Sequence, residues 1–198
     1  MDAAADYAAA RAALTRPLPA YVSYTVNSHV KMDAIVKNAS QQIVVRTRDG
    51  KILKGDPGGV PGNFAANTGN EPVHDPGFKA TCYAPTGIAA QKFDGQEVEA
   101  IALHGLCVKN QGDKDFDTLY VDPRTHEPLA AVGTSNDEHV AVRIEQRFAR
   151  TADYVLPSSL HVRVQGSGLM FWLDVLVDEQ YADYRFSATP PPDVSASP

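Results

Sequence analysis

Six histidines and two cysteines are the side chains of this sequence that most strongly suggest a transition metal site. Only His104 and Cys107 stand close together, in a segment with strand character. Successive side chains of a strand point to opposite faces, so residues at i and i+3 cannot share one ion without a bulge. We therefore predict no metal and no cofactor, and interpret the histidines as solvated surface side chains. They are His29, His74, His104, His126, His139 and His161.

The sequence lacks the motif that usually surrounds a catalytic serine. Ser158 and Ser159 follow a proline, and no Gly-x-Ser-x-Gly segment places a serine on a sharp strand-to-helix turn. The stretch Gln165-Gly166-Ser167-Gly168 is interpreted as a plain hairpin turn. We predict no catalytic residue and no enzymatic activity, although an enzyme with an unrecognised site stays open as an alternative.

One carboxylate interrupts the most apolar run of the sequence. Asp174 lies between Leu169 and Val177, and a carboxyl group buried alone there would have a raised pKa and would mark a site. An ion pair with Arg163 on a neighbouring strand is the preferred alternative. The run is also apolar on both strand faces, which is typical of core packing, of an oligomer interface or of a strand beside a hydrophobic cavity.

The two cysteines predict a disulfide. Cys82 follows a Gly/Pro-rich stretch and Cys107 ends a predicted strand, so a bridge would close a loop of about 25 residues and contribute roughly 3 kcal/mol to stability. An even cysteine count suits an oxidising compartment. The alternative is two unpaired cysteines that are buried as small apolar side chains.

The charge of the sequence excludes one class of partner. The formal net charge is −6 and the 18 basic residues are scattered, whereas nucleic-acid binding requires clustered Lys and Arg. The sequence contains no run of about 18 apolar residues, so it predicts no transmembrane helix. Met1 is followed at once by Asp2-Ala3-Ala4-Ala5, which we interpret as the start of an exported protein whose signal peptide has been removed. We therefore expect a periplasmic or secreted protein.

Hydrophobic periodicity predicts one helix and about nine or ten strands. The helix spans Asp2–Thr15, with an apolar stripe through Tyr7, Ala10 and Leu14, and Pro17 prevents its continuation. Alternation of apolar and polar residues marks the strands. They are predicted at 21–30, 42–48, 51–54, 97–108, 116–122, 129–132, 140–148, 160–165, 169–177 and 181–187, with a further short strand around Ile35.

The segment from Gly55 to Gly87 has a different texture, because Gly, Pro, Asn and Asp punctuate it throughout. A loop of this length within a compact domain is uncommon and is usually functional or mobile. Its GGVPG stretch lacks the Lys-Ser/Thr ending of a phosphate-binding loop. A lid, a rim, a partner-contacting loop and a disordered insert all stay open.

The segment LYVDPRTHEPL, at 119–129, predicts a strand, a tight turn opened by Asp122-Pro123 and a returning strand. Its residues Tyr120, Val121, Asp122, Pro123, Thr125 and Pro128 resemble the middle hairpin of the periplasmic lipoprotein-carrier superfamily, the LolA/LolB-like carriers. The helix that leads into Tyr21-Val22-Ser23-Tyr24, the later Leu156-Pro157 and the closing Asp183-Tyr184-Arg185-Phe186 are similar as well. The similarity in layout covers most of residues 5–187 and is that of a distant relative. It implies a helix followed by antiparallel strands around a lipid-type ligand.

We therefore predict the α+β class, with an incomplete, strongly curved antiparallel β-barrel and an N-terminal helix packed against it. Residues 1–187 are expected to form a single lipoprotein-carrier-like domain. Residues 188–198 are expected to form a Pro-rich flexible tail, because they have little apolar surface to bury.

The resemblance and the apolar strands together predict a non-catalytic exported protein that holds a lipid, an acyl chain or another elongated hydrophobic ligand on the concave face of the sheet. The alternative is a protein-interaction or sensor module of the cell envelope without a small ligand, and an envelope protein is a further expected partner. Strand alternation assigns ten residues to the ligand-binding face, and the opposite set lines the cavity if the parity is reversed. The ten are Val22, Tyr24, Val26, Ile43, Val45, Val142, Ile144, Val162, Phe171 and Leu173.

Overall fold

A helix at the N-terminus, α1 (Ala3–Leu14), begins directly after Asp2. The Asp2 carboxylate accepts hydrogen bonds from the backbone N–H groups of Ala4 and Ala5 at 3.0 and 3.4 Å, which satisfies two free donors of the first turn. The computed structural model describes residues 2–55, 77–107, 116–136, 139–168, 171–192 and 194, except for the side chain of Phe171. The buried face of α1 contains the predicted stripe, joined by one carboxylate: Asp6, Tyr7, Ala10 and Leu14.

Ten strands follow the helix, all paired antiparallel in one sheet. They are β1 (Tyr21–Met32), β2 (Ile35–Arg46), β3 (Lys51–Lys54), β4 (Tyr83–Phe93), β5 (Gln96–Gly105), β6 (Thr118–Val121), β7 (Pro128–Asn136), β8 (Val140–Thr151), β9 (Tyr154–Gly168) and β10 (Phe171–Ser187). A short 3₁₀ helix, Ala80–Cys82, precedes β4.

The strand order is β3-β2-β1-β10-β9-β8-β7-β6-β5-β4. The first and last strands of this order are the edges, so the sheet is not closed. It is an incomplete curved barrel with an N-terminal helix, and the predicted fold class is confirmed. The long pairing of β1 with β10 brings the two ends of the chain together in the middle of the sheet.

Two apolar clusters occupy different halves of this sheet. The helix cluster lies where α1 packs against β4, β7, β9 and the 3₁₀ helix. Its buried members are Tyr7, Ala10, Leu14, Phe78, Ala80, Tyr83, Ile101, Phe116, Leu119, Val121, Ala131, Phe148 and Val155. The valine cluster lies on β1, β2, β8, β9 and β10. Its buried members are Val26, Val30, Ile43, Val45, Val142, Leu160, Val162, Val164, Val175, Val177 and Tyr181.

The Cys82–Cys107 disulfide is present, with Cα atoms 5.0 Å apart. It ties the start of β4 to the residues that follow β5. The backbone supports the same junction, since the Leu106 N–H donates to the Cys82 carbonyl oxygen at 2.7 Å.

Strand β4 was not predicted, and it takes up the end of the segment that was interpreted as loop. Its residues Pro85 and Gly87 are poor strand formers, and most of its other side chains are exposed or only half-buried. An edge strand tolerates both, because one side has no ladder to complete, and the pairing with β5 is irregular between those two residues. The rest of that segment, 56–76, lies outside the described residues.

Two predicted boundaries are wrong for the same reason. Strand β10 runs without interruption to Ser187, although Asp178 and Glu179 suggested a break. Strand β9 continues to Gly168, although Gly166 and Ser167 suggested a turn. In both cases the neighbouring strands supply a complete ladder, which outweighs the local preference of acidic residues and glycine for turns.

Candidate functional site

The structure places the predicted ligand-binding residues on one face of the sheet. Five of them are buried members of the valine cluster: Val26, Ile43, Val45, Val142 and Val162. Three are partly buried and pack against it: Tyr24, Ile144 and Leu173. Val22 is fully buried and pairs with Val45, whereas the side chain of Phe171 lies outside the described residues. Their role toward a ligand stays a prediction.

Strand register explains why these side chains form one surface. Val30 on β1 pairs with Val177 on β10, which pairs with Val162 on β9, which pairs with Ile144 on β8. Directly opposed residues of neighbouring strands point to the same face, so these four paired residues form a continuous apolar band across four strands. Sequence reasoning omitted several members, although the same alternation marks them: Val30, Leu160, Val164, Val175, Val177 and Tyr181.

A bulge in β10 adds aromatic rings to this face. Ser23 pairs with Arg185 but Thr25 pairs with Ala182, so two residues of β10 stand opposite Tyr24. Asp183, one of the two, has φ +58°, a left-handed conformation that Asp tolerates better than most residues. The bulge shifts the alternation by one, and Tyr184 therefore packs against the valine cluster beside Tyr181.

Three tyrosines and one glutamate form the polar part of this face. The ring of Tyr24 stacks on that of Tyr184, with centroids 5.3 Å apart, and lies 6.1 Å from that of Tyr181. The Tyr181 hydroxyl donates to Glu179 Oε2 at 2.6 Å, and the Tyr184 hydroxyl donates to the Pro157 carbonyl oxygen at 2.7 Å. Two of the three hydroxyl groups thus have a partner on a neighbouring side chain or strand.

Burial governs the titration of this group. Desolvation raises the pKa of Glu179 above its ordinary value, and the hydrogen bond from Tyr181 offsets part of that rise. Desolvation likewise raises the pKa of Tyr24 and of Tyr184, and that of Tyr181, for which the nearby carboxylate adds to the effect. The tyrosine hydroxyls are therefore neutral donors, and this part of the face favours apolar or uncharged groups.

The apolar face reaches the end of the sheet as an exposed rim. Met32 is 42% exposed and Ile35 is 53% exposed. Met32 pairs with Ile35 in the β1–β2 hairpin and with Val175 of the valine cluster. Because paired residues share a face, the rim continues the buried bands into solvent.

The outer face of the same strands has a different chemistry. An open cavity of about 310 Å³ is lined there mainly by polar and charged side chains: Arg143, Glu145, Arg147, Ser159, Leu160, His161, Asp178 and Gln180. Ion pairs connect several of them, and Arg163 Nε lies 3.4 Å from Asp174 Oδ1 as the sequence predicted. Such solvated pairs contribute little stability.

Metal-ligating side chains come together in the other half of the sheet. Among the described residues, the group that could hold an ion is Asp6, Glu99 and His126. His126 was interpreted as a solvated surface histidine, but its Nδ1 atom is buried beside the two carboxylates. The other predicted surface histidines among the described residues are not part of this group.

Within the described part of the chain, no helix is long and apolar enough to cross a membrane.

Comparison with solved structures finds this architecture in proteins of very different sequence. A LolA superfamily protein from Nitrosomonas europaea is 11% identical, with a TM-score of 0.52 and 96% of each chain covered. A domain from Vibrio parahaemolyticus assigned to outer membrane lipoprotein sorting is 11% identical, with a TM-score of 0.60, and the match covers 97% of this chain and 96% of that one. A DUF1329 family protein from Desulfovibrio piger is 9% identical, with a TM-score of 0.55 and 96% of each chain covered.

No protein-family model matches the chain, and no curated protein matches it. The structural likeness extends over nearly the whole of each compared chain, whereas the sequences agree at about one position in ten. The resemblance that the hairpin at 119–129 suggested is thereby confirmed at the level of architecture: this chain shares its fold with a LolA superfamily protein.

Proposed function

We propose that this protein is a non-catalytic, exported binding protein that holds a lipid or another elongated hydrophobic ligand on the inner face formed by the valine cluster. One observation carries the proposal: a continuous apolar surface spans β1, β2, β8, β9 and β10 and ends in the exposed rim of Met32 and Ile35. The helix α1 covers the helix cluster, where it contacts β4, β7 and β9.

An elongated apolar ligand suits this geometry. Each Å² of apolar surface that is removed from water contributes about 25 cal/mol, so a long chain laid along several strands gains affinity in proportion to its length. The valine cluster is buried in this structure, and a ligand would therefore replace contacts that these side chains already make. The exposed rim provides the place where such an exchange can begin.

The proposal can be tested with two leucines of one strand. Leu173 and Leu176 are both partly buried on β10, but Leu173 packs against the valine cluster and Leu176 has the opposite parity. We expect Leu173→Ala to weaken binding of a fluorescent long-chain fatty acid by about tenfold, because it removes roughly two methylene groups of apolar contact. Leu176→Ala should leave binding unchanged.

Titration of the fatty acid by fluorescence, with circular dichroism as the folding control, provides the measurement. Absence of saturable binding by the wild type, or equal losses in the two variants, would refute the inner face as a lipid site.

Export follows from the same proposal, because the disulfide requires an oxidising compartment to persist. One of the compared proteins is assigned to outer membrane lipoprotein sorting by its name, which supports a location in the cell envelope. Fractionation of cells that express the full-length natural gene would test this, and a purely cytoplasmic protein with free thiols would contradict it.

A second candidate function is a protein-interaction or sensor module of the envelope. Trp172 is 67% exposed and Val36 is 52% exposed, and both have outer-face parity at the end of the sheet that also bears the rim. Exposed aromatic and aliphatic groups of this kind are common in protein interfaces. If Trp172→Ala abolishes capture of an envelope protein while fatty-acid binding is absent from the wild type, this second function replaces the first.

A further inference from the structure

Three side chains from distant parts of the sequence meet at one edge of the helix cluster. Asp6 comes from the first turn of α1, Glu99 from β5, and His126 from the turn between β6 and β7. His126 Nδ1 lies 3.2 Å from Asp6 Oδ1 and 3.8 Å from Glu99 Oε2. The three donor atoms all lie within 4.8 Å of one another.

Each donor is positioned by its own element. Asp6 precedes Ala10 by one helical turn and so lies on the buried stripe of α1. Glu99 shares its face with Ile101 and pairs with Val121, both fully buried, so it occupies a position where alternation calls for an apolar residue. The strand thereby directs a carboxylate inward, toward the helix.

The turn that presents His126 is held by hydrogen bonds to the side chain and the backbone of Asp122. Asp122 Oδ1 accepts from the N–H groups of Arg124 and Thr125 at 2.8 and 2.9 Å, and the His126 N–H donates to the Asp122 carbonyl oxygen at 2.9 Å. His126 ends the turn with φ +57°. The position of the imidazole is therefore set by a turn with three internal hydrogen bonds.

Two of the donor atoms lack partners, and this points to a ligand. Glu99 is 8% exposed, and its Oε2 has no hydrogen-bond partner in the described structure; the same is true of His126 Nδ1. Buried polar atoms in folded proteins are nearly always paired, so two facing orphans indicate a missing group between them. A water molecule or a cation would satisfy both.

The charge of the cluster favours a cation. Asp6 and Glu99 are both 8% exposed, and within the described part of the chain their ion pairs are with His126 alone. A divalent ion balances both carboxylates while it accepts the imidazole nitrogen.

We propose that Asp6, Glu99 and His126 bind a divalent transition metal ion, for which zinc is the best match. One imidazole nitrogen and two carboxylate oxygens are ligands that zinc accepts, whereas calcium and magnesium prefer oxygen alone. With bonds of about 2.1 Å, neighbouring ligand atoms of a tetrahedral ion lie about 3.4 Å apart, which is between the two measured separations. Solvent supplies the fourth ligand past the half-exposed imidazole.

The ion would fasten α1 to the sheet. Its three ligands join the first turn of the helix to β5 and to the β6–β7 turn. These three segments are far apart in the sequence. Because metal binding to the folded state alone stabilises it, zinc raises the free energy of unfolding and slows opening of the helix. This role is independent of ligand binding at the valine cluster, which lies in the other half of the sheet.

The test uses the full chain, treated with a chelator, freed of it by gel filtration and then titrated with zinc sulfate. We expect about one zinc per chain by elemental analysis, a rise in Tm of about 5–10 °C at a hundredfold excess over Kd, and slower amide hydrogen exchange in α1. Cobalt in place of zinc should give visible absorption bands of a four-coordinate site.

Two variants and one matched control decide the assignment. Glu99→Gln keeps the shape but loses the charge, and His126→Asn keeps a residue that tolerates positive φ but removes the imidazole. Each should weaken zinc binding at least about tenfold. His161→Ala removes a half-exposed histidine that is ion-paired with Asp178 at 2.5 Å and lies outside the cluster, and this variant should bind zinc like the wild type.

Every outcome is informative. If the chelator-treated wild type binds no zinc at neutral pH, the proposal is wrong. It is equally wrong if Glu99→Gln and His126→Asn bind as the wild type does, or if His161→Ala alone loses the ion.

Discussion

The helix cluster is interlocked through aromatic rings, whereas the valine cluster is built from eight valines on five strands. In the first, the ring of Phe78 lies parallel to that of Tyr83 at 5.1 Å and meets that of Phe116 edge-on at 5.3 Å. In the second, short branched side chains face one another across strand pairs. Both clusters bury an apolar face of the same sheet, but only one of them has the helix as its cover.

The helix cluster therefore forms a structural half of the sheet, which serves stability. The valine cluster forms the valine half, whose side chains can exchange their contacts for contacts with a ligand. Large rings in offset and edge-on contact fit in few ways, and the Phe78 N–H is also held by the fully buried Gln146 through its Oε1 atom at 2.8 Å. The valines have no such directional contacts, so an apolar ligand can replace one valine neighbour by another at little cost, whereas the stacked rings of Tyr24 and Tyr184 beside them are held more specifically. The disulfide and the three-residue cluster around His126 both lie in the structural half.

The largest expected effect comes from removing the central ring of the helix cluster. Phe78→Ala should lower the free energy of unfolding by about 4 kcal/mol, because it removes a ring that is 1% exposed and leaves a cavity among aromatic neighbours. Leu160→Ala in the valine cluster should cost about 2 kcal/mol, since strands can close around a smaller gap. Urea unfolding of the two variants measures both, and the comparison fails if the order is reversed.

The disulfide should matter next. Cys82→Ala with Cys107→Ala opens a loop whose ends are 25 residues apart in sequence, which costs about 3 kcal/mol in the chain-entropy model. Because the bridge lies in the structural half, fatty-acid affinity should be unchanged at temperatures where the variant is folded. Unfolding with and without reductant gives the stability, and reduced wild type should match the double variant. Loss of affinity in the folded variant would show that the halves are coupled.

Local pattern was sufficient wherever one face of a strand is buried and the other is wet. Val142 and Ile144 alternate with Arg143 and Glu145, and the structure places the first pair inward and gives the second pair an ion pair outside. The helix could also be predicted from the sequence. The spacing of Tyr7, Ala10 and Leu14 marks its buried face, and Pro17 prevents its continuation. These signals depend only on residues that are close together in the sequence, so they can be recognised without knowledge of the partner strands.

Prediction failed where the decisive contact is distant in sequence. Gln146 has inward parity and is fully buried, and its Oε1 atom accepts a hydrogen bond from the Phe78 N–H, which comes from a segment 68 residues away. Asp6, Glu99 and His126 gave no joint signal, since their meeting depends on the packing of α1 across β5 and the β6–β7 turn. A charged residue at inward parity, as at Glu99, was the available clue.

A hydroxyl deletion sharpens the comparison within the valine half. Tyr184→Phe should lower the free energy of unfolding by about 1 kcal/mol, because the Pro157 carbonyl oxygen loses its hydrogen bond at 2.7 Å in a buried place. Tyr120→Phe is the matched control: its hydroxyl has no hydrogen bond to another described residue, and the change should be close to zero. Thermal unfolding of both variants is sufficient. Equal effects would mean that Tyr184 is held by its ring contacts alone.

The subtlest effect is a change of pH dependence at Glu179. Burial raises its pKa in the folded protein above the ordinary value of 4.5, so below pH 4.5 the carboxyl group is protonated in both states and costs nothing. As the pH rises through the folded pKa, the unfolded chain releases the proton more readily and the folded state loses stability. Glu179→Gln cannot ionise, so its free energy of unfolding should gain on that of the wild type between pH 4 and pH 8.

Urea unfolding at a series of pH values measures that difference, and the slope matters more than the offset, because the amide also alters the hydrogen bond from Tyr181. The same substitution at the exposed Glu97 controls for the loss of one negative charge. A flat difference between Glu179→Gln and the wild type would show that water reaches the carboxylate. The valine half would then be more open in solution than its buried side chains indicate, and the difference between the two halves would widen.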